Sequence, residues 1–239
     1  RLYDELEELE RKTGITLSNS PTIRVGYEVL SDLPKEKHPK KMLSLDKTKD
    51  VGALAAWLGS QEGVLSWKLD GLTIVLTYEE GKLAKAVTRG NGEIGEVITS
   101  NARTFENLPL AIDFKGELVL RGEAVISYAD FEKINDEITD EGAKYKNPRN
   151  LCSGSVRQLN NEITAQRHVQ FFAFSLVSAD GVEFKTRNEQ FDWLAERGFQ
   201  VVEHVSVNAK TISDAVSAFE AKIADNPVQC HMLMCPFKN

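Results

Sequence analysis

The sequence predicts an α+β fold with mainly antiparallel sheets, and three observations carry that prediction. Thr73-Ile-Val-Leu-Thr-Tyr78 and Lys82-Leu-Ala-Lys-Ala-Val-Thr88 are strand-like runs joined by Glu79-Glu80-Gly81, the signature of a hairpin. Further strand-like runs, Glu117–Arg121, Ala124–Ile126, Val169–Val177 and Val201–Val207, gather in clusters. Segments of helical period fall between those clusters instead of alternating with single strands, the order expected of an α+β chain rather than a parallel α/β one.

In chain order, Leu2 to Lys12 reads as a short amphipathic helix, with Leu2, Leu6 and Leu9 at i, i+4 and i+7, and Gly14 ends it. Asn19 to Lys40 carries Pro21, Pro34 and Pro39 and reads as an extended connector. Asp50 to Leu58 is a second helix, with Val51, Leu54, Ala55 and Leu58 on one face. From Val64 the period becomes that of a strand and leads into the hairpin. Glu117–Arg121 and Ala124–Ile126 form a strand pair or one bent strand. Tyr128 to Glu137 is helical, and Val169 to Val177 is a long buried strand. Asn188 to Arg197 is a helix stopped by Gly198, Val201 to Val207 a strand, and Thr211 to Ala224 a helix opening on a Ser213-Asp214 cap region.

Composition is that of an ordinary globular chain of 239 residues, 41% hydrophobic and 27% charged, and the length bounds it to one large domain or one domain plus an appendage. No apolar run reaches the ~20 residues of a membrane span. The start, Arg1-Leu-Tyr-Asp-Glu, is polar, so a cytoplasmic location without a signal peptide is expected; the absent Met suggests a natural N-terminus further upstream. Three cysteines are too few for a disulfide framework and fit a reducing cytosol. Cys230, His231 and Cys235 lie close together, but no second ligand pair completes a zinc site, and ordinary thiols are the expectation. The formal net charge of −7 offers no global basic surface, so contacts with nucleic acid would be local or supplied by other parts of a longer protein.

Chemistry concentrates at Lys68-Leu69-Asp70-Gly71, a lysine just before a tight turn at the mouth of a sheet. A free lysine, with pKa near ~10.4, is protonated at neutral pH and a poor nucleophile; attack on phosphorus needs burial or neighbouring cations that favour the neutral amine. The apolar segments on either side of the turn would supply partial desolvation. Asp70 would orient the amine or take part in metal binding, and Gly71 would let backbone approach a nucleotide closely. An exposed lysine in an ordinary turn is the plain alternative. Thr88-Arg-Gly-Asn-Gly92 follows a strand, where backbone N–H groups and the Arg89 guanidinium would meet phosphate or ribose; a hairpin loop without function is its alternative. Arg121-Gly-Glu123 places a carboxylate where it would accept from ribose hydroxyls or hold a metal, or would form a simple surface pair with the arginine.

Lys68-Leu-Asp-Gly71, Thr88-Arg-Gly-Asn-Gly92, Thr99-Ser-Asn-Ala-Arg-Thr104, Arg121-Gly-Glu123 and Asn147-Pro-Arg-Asn150 with Gly154-Ser-Val-Arg-Gln-Leu159 resemble, in order and spacing, the adenylation domain of bacterial NAD-dependent DNA ligases. So do Ser20-Pro-Thr-Ile-Arg-Val-Gly26 and His38-Pro-Lys-Lys-Met-Leu-Ser-Leu-Asp46. The resemblance runs from about Tyr3 to about Val177, and more weakly to Val228.

It implies a nucleotidyltransferase, ATP-grasp-like ligase core of antiparallel sheets flanked by helices. A remnant of an N-terminal helical module and connector would occupy 1–48, the adenylation domain 49–228, and a divergent C-terminal tail 229–239. By resemblance Lys68 attacks the α-phosphate of NAD, releases nicotinamide mononucleotide and becomes lysine-AMP, the first step of nick sealing in DNA replication and repair. Arg89 and Glu123 match residues that hold the nucleotide; Asp70 and Gly71, beside the lysine, and Ser66, at a position where the family has another residue, are expected at the nucleotide too. Arg149 and Arg157 match arginines near phosphates, and Ser44 and Leu45 a pair beside the dinucleotide. Tyr3 and Asp4 match the end of the module that grips the nicotinamide half. Mg²⁺ is the implied ion, nicked duplex DNA the implied partner through modules not in this chain, and a monomer the default state.

The chain departs from the family's pattern in three places. Ser66 replaces an acidic residue two positions before the lysine, the segment from Gln229 does not continue into the family's Asp-Gly-hydrophobic-Lys strand, and the later lysine strand is missing. The alternative is therefore a catalytically impaired, ligase-like nucleotide-binding module. An ATP-dependent ligase or capping-type enzyme would share the lysine turn, but Thr88–Gly92 and Asn147–Asn150 argue against it.

Overall fold

A computed structural model describes residues 8–10, 12–13, 32–39, 42 and 48–236. Residues 8–10 and 12–13 are helical, within the span the sequence predicts for the first helix; the rest of that helix and most of the connector lie outside the described residues.

Two sheets organise the chain. The larger has four strands in the order β4 (Lys82–Thr88), β3 (Leu72–Glu79), β6 (Leu118–Val125), β7 (Gln170–Ala179), antiparallel throughout. The smaller has three, β8 (His204–Val207), β2 (Gly63–Leu69) and β9 (Cys230–Pro236), again antiparallel. A short ribbon of β1 (Lys35–Lys37) and β5 (Ile94–Glu96) flanks the first. Each main sheet has its own core. Ile74, Leu76, Tyr78, Leu118 and Leu120 cover the inner face of the four-stranded sheet, against Phe105, Leu151 and Val156. Leu65, Trp67 and Leu69 of β2 pack with α1 (Val51–Leu58) and α7 (Ile212–Lys222) around Leu58, Val216 and Phe219, and the Trp67 and Phe219 rings lie 4.5 Å apart.

The predicted hairpin is β3–β4, with Tyr78 opposite Leu83. Of the strand pair or single bent strand predicted around Gly122, the single strand forms, as β6, and the register shifts between Val119/Leu120 and Arg121/Gly122 put one extra residue of β7 at each point. A side chain at Gly122 would meet the Phe171 ring at 2.2 Å, which explains a glycine inside a central strand.

The predicted helices form as α1, α3 (Tyr128–Glu137), α6 (Arg187–Glu196) and α7. Asp50, Ser127 and Thr186 cap the first three by accepting backbone N–H bonds. α7 has no side-chain cap at its start; Asn208 Oδ1 accepts from Lys210 and Thr211 just upstream, so the polar turn lies before the Ser213-Asp214 pair rather than at it. Only His204–Val207 of the predicted strand at 201–207 pairs in the sheet, while Val201 makes a single bridge to Ala173. Three further helices, α2 (Thr99–Ala102), α4 (Pro148–Val156) and α5 (Asn161–Ala165), bind together through Asn101, whose side chain donates to Val156 O, Gln158 O and Thr164 Oγ1. From residue 230 the segment set apart in the sequence as a tail is β9, paired along the whole of β2 from Gly63↔Pro236 to Leu69↔Cys230.

Candidate active site

β2 and β3 meet at the turn Asp70-Gly71, and that junction joins the two sheets. Gly71 is buried against β6: a Cβ there would sit 1.9 Å from Ala124 O, so only glycine lets the turn close. Its N–H donates to Glu123 Oε1 at 3.1 Å, and Thr73 Oγ1 donates to Glu123 Oε2 at 2.8 Å. Both oxygens of Glu123 are thus held by the first residues after the turn. Burial pushes the Glu123 carboxyl above its ordinary range, opposed by these two hydrogen bonds and by the charges of Lys68 and Arg149. Arg149, from the first turn of α4, donates to Asp70 Oδ1 at 2.5 Å. That helix starts where Asn147 caps Asn150 N–H and Pro148 takes the first position, so the Asn-Pro-Arg-Asn segment is a helix start that aims an arginine at the lysine's turn.

The register places the rest. Arg89 N–H donates to Thr73 O, Thr73 lies opposite Glu123, and Glu123 opposite Phe172. Arg89, Thr73, Glu123 and Phe172 therefore form one row across the sheet face that looks toward β2. One row on, Val75, Arg121 and Ser175 are aligned, and Arg121 Nε is buried without a hydrogen-bond partner. Burial lowers the pKa of that guanidinium. On β2, Lys68 shares a face with Ser66 and Val64; Ser66 is buried, opposite His204 and Leu233, whereas Lys68 is exposed, opposite His231.

These positions correct two expectations. The apolar neighbours of Lys68 do not desolvate it: Leu69 and Trp67 point into the core on the other face, and the lysine stands in the open cleft. Nor does the Gly-rich loop after β4 present a row of free N–H groups. Those of Glu93 and Ile94 donate to Asn91 Oδ1, that of Gly92 to Arg89 O and that of Asn91 to Ile94 O. The loop closes on itself, with Gly90 at φ 56° and its Cα face against Ile94 O, and the Arg89 side chain is the cation it offers to an anion. His38 fastens it from outside through Nε2 contacts to Thr88 O and Arg89 O at 3.0 and 3.2 Å.

Lys68, Asp70, Gly71, Glu123 and Arg149 are one bonded and charge-coupled group, with Arg89 and Ser66 on its walls. Arg157 is tied elsewhere, its Nε donating to Glu96 Oε2 at 2.6 Å and its Nη1 to Ser153 Oγ at 2.9 Å. Tyr3, Asp4, Ser44 and Leu45 lie outside the described residues. Thr73 and His231 stand opposite residues of this group, and Arg121 one row on; the sequence points to Arg121 only as a partner of Glu123 and to His231 only within the Cys/His cluster, and the register across strands brings them here. Among the described residues no group of three His, Cys, Asp or Glu could hold a metal. Cys230 and Cys235 fall on opposite faces of β9, which separates the thiols of the Cys/His cluster.

A family model described as NAD-dependent DNA ligase adenylation domain matches residues 30–231. A DNA ligase of Ruminiclostridium cellulolyticum is 61% identical over all of this chain and 36% of its own length. One from Lachnoclostridium phytofermentans is 63% identical over 95% of this chain and 35% of its own. A third, from Helicobacter pylori, is 40% identical over 87% of the chain and 33% of its own. The chain thus spans about a third of the length of these relatives. A solved archaeal ATP-dependent RNA ligase is similar at 13% identity and a TM-score of 0.48, over 81% of this chain and 45% of that one, a likeness too slight to bear on the chemistry.

Proposed function

The chain belongs to the family of NAD-dependent DNA ligase adenylation domains, and from that premise we propose that it transfers AMP from NAD to Lys68. The observation that supports this reading best is the exposed lysine at the end of β2, set beside a half-buried carboxylate held by the turn that follows it. NAD is the substrate. Glu123 would accept from the ribose hydroxyls, and the unpartnered guanidinium of Arg121 and that of Arg89 would face its phosphates. Ser66 would stand at the base, and Tyr3, Asp4, Ser44 and Leu45 at the rest of the dinucleotide. In the transfer, the lone pair of Lys68 Nζ forms the N–P bond. The bond from the α-phosphorus to the bridging oxygen breaks, and nicotinamide mononucleotide leaves with that oxygen and its electron pair. Cations aimed at the phosphates stabilise the charge that develops. Arg149 orders the turn through Asp70, and Arg157 would approach phosphate only by releasing Glu96.

The described residues do not fit a protein cage for Mg²⁺, since Asp70 is held by Arg149 and Glu123 by Gly71 and Thr73. The ion would instead arrive on the substrate's phosphates. Nick sealing would require the parts of a longer ligase outside this chain, which would also bring the nicked DNA.

The alternative, a nucleotide-binding module without chemistry, draws on the exposure of Lys68, which leaves its amine without the desolvation that would activate it. Intact mass after incubation with NAD and Mg²⁺ decides between them. An AMP adduct in the wild type that vanishes in Lys68→Ala is the expected result. NAD binding with no adduct would replace the enzyme reading with the binding one.

A further inference from the structure

The exposure of Lys68 leaves open what accepts its proton. To become a phosphoramidate the lysine ammonium must lose one proton before attack and a second as the N–P bond forms. The two carboxylates beside it are engaged. Glu123 has both oxygens bonded, to Gly71 and Thr73, and Asp70 is paired with Arg149. Directly across the ladder, however, stands His231 of β9. The register pairs Lys68 with His231, so both side chains leave the same face of the sheet. Residues opposed in this way have Cβ atoms about 5 Å apart, well inside the reach of a lysine and an imidazole. His231 is exposed, and its side chain has no hydrogen-bond partner among the described residues. The pairing does not drift: Asp70 N–H donates to Gln229 O at 2.8 Å, which fixes β9 against the turn two residues beyond the Lys68–His231 pair.

We propose that His231 is the proton acceptor for Lys68 in adenylyl transfer. The proposal rests on the reading of Lys68 as the AMP acceptor. The first proton leaves the ammonium to water; as Nζ then closes on the α-phosphorus, its second proton passes to a ring nitrogen of His231, and nicotinamide mononucleotide leaves with the bridging oxygen and its electrons. The imidazolium then returns the proton to water in the open cleft. The other titratable groups around this pair among the described residues are Glu123 and Arg121 from β6, Asp70 from the turn, Arg149 from α4, His204 from β8, Arg89 after β4 and Cys235 further along β9. Asp70 is matched by Arg149, and His204 is turned to Val202 O through Nδ1 at 2.9 Å. None of these other groups lies directly opposite the lysine in the ladder.

Two measurements test it. The first is the adduct rate by intact mass, with NAD and Mg²⁺, from about pH 5.5 to about pH 9 for wild type, His231→Gln and His231→Ala. The expected loss in both variants is about a hundredfold at neutral pH and shrinks toward high pH, with NAD affinity unchanged and with added imidazole rescuing His231→Ala. A His231→Gln rate within about twofold of wild type across the range would overturn the proposal. The second needs no turnover: the titration of the His231 ring is followed by NMR in wild type and in Lys68→Met. A midpoint that moves in Lys68→Met supports the contact, and one that stays put overturns it. If the wild type binds NAD without forming an adduct, the adenylation reading fails, and the NMR titration still tells whether the lysine and the imidazole interact.

Discussion

Glu123 concentrates the conflict between stability and function in this site. Its carboxyl lies above its ordinary range because burial penalises the charge more than Thr73, Gly71, Lys68 and Arg149 relieve it. The native state therefore binds this proton more tightly than the unfolded chain does. Below the ordinary carboxyl range both states are protonated and the site costs nothing. As pH rises from about 4.5 the unfolded chain ionises first, and the native state loses stability until the raised pKa is passed. Glu123→Gln removes that dependence. Its melting temperature should rise relative to that of the wild type as pH increases from about 4 to about 8, while its adduct rate with NAD falls. Thermal unfolding across that range checks this, and a gap that stays flat with pH would show that Glu123 is not carried as a strained carboxylate. Lys68 carries the opposite lesson. Its place before an Asp-Gly turn is readable from four letters, but its exposure is not, because the faces of β2 are assigned only when Leu65, Trp67 and Leu69 find α1 and α7.

At the scale of elements, β9 decides whether β2 is an inner strand or an edge. The bond from Asp70 N–H to Gln229 O sets the phase of the β2–β9 ladder, and that from Trp67 N–H to Glu203 O sets the phase on the β8 side. Odd-numbered residues of β9 therefore turn their N–H groups toward β2, and even-numbered ones toward the open edge. Leu233→Pro should cost about 2 kcal/mol more than Met232→Pro, because only the first leaves a carbonyl of β2 unpaired inside the sheet. Urea unfolding of the two variants measures the difference; equal losses would mean that the pairing is not the one described. Elements of this kind mark what the sequence hides. The β3–β4 hairpin is legible because alternation and a Gly-containing turn coincide there, and α3 because Ser127 precedes a helical period. Cys230–Pro236 has no β-branched residue and ends in proline, so nothing local declares a strand, and β2 alone creates it. α4 is short, with Asn, Pro, Gly and two Ser residues, and reads as loop. Its real signal was Asn147 as cap with Pro148 at the first position.

The whole molecule is two sheets hinged by a buried glycine, with cationic side chains gathered along the cleft between them. Arg89, Arg121 and Arg149 face that cleft, yet the chain carries a net charge of −7. Local and global electrostatics therefore point to different partners. A dinucleotide with two phosphates needs only the local cluster. A duplex presents charges every ~1.7 Å, and affinity for it grows with the number of phosphates neutralised at once. An acidic molecule repels that array at distances where a small ligand is already inside the cleft, and at ~0.15 M salt the screening length is about 8 Å, too short for one cleft to hold a helix from afar. The isolated chain should therefore bind NAD while binding a nicked duplex only in the ~10⁻⁴ M range or weaker, with a shallow dependence on salt. Fluorescence anisotropy of a labelled nicked duplex, repeated at several salt concentrations, measures both. Micromolar affinity with a steep salt slope would place a DNA-binding surface on this chain, and would move the grip on the nick from the remainder of a longer ligase to the adenylation domain itself.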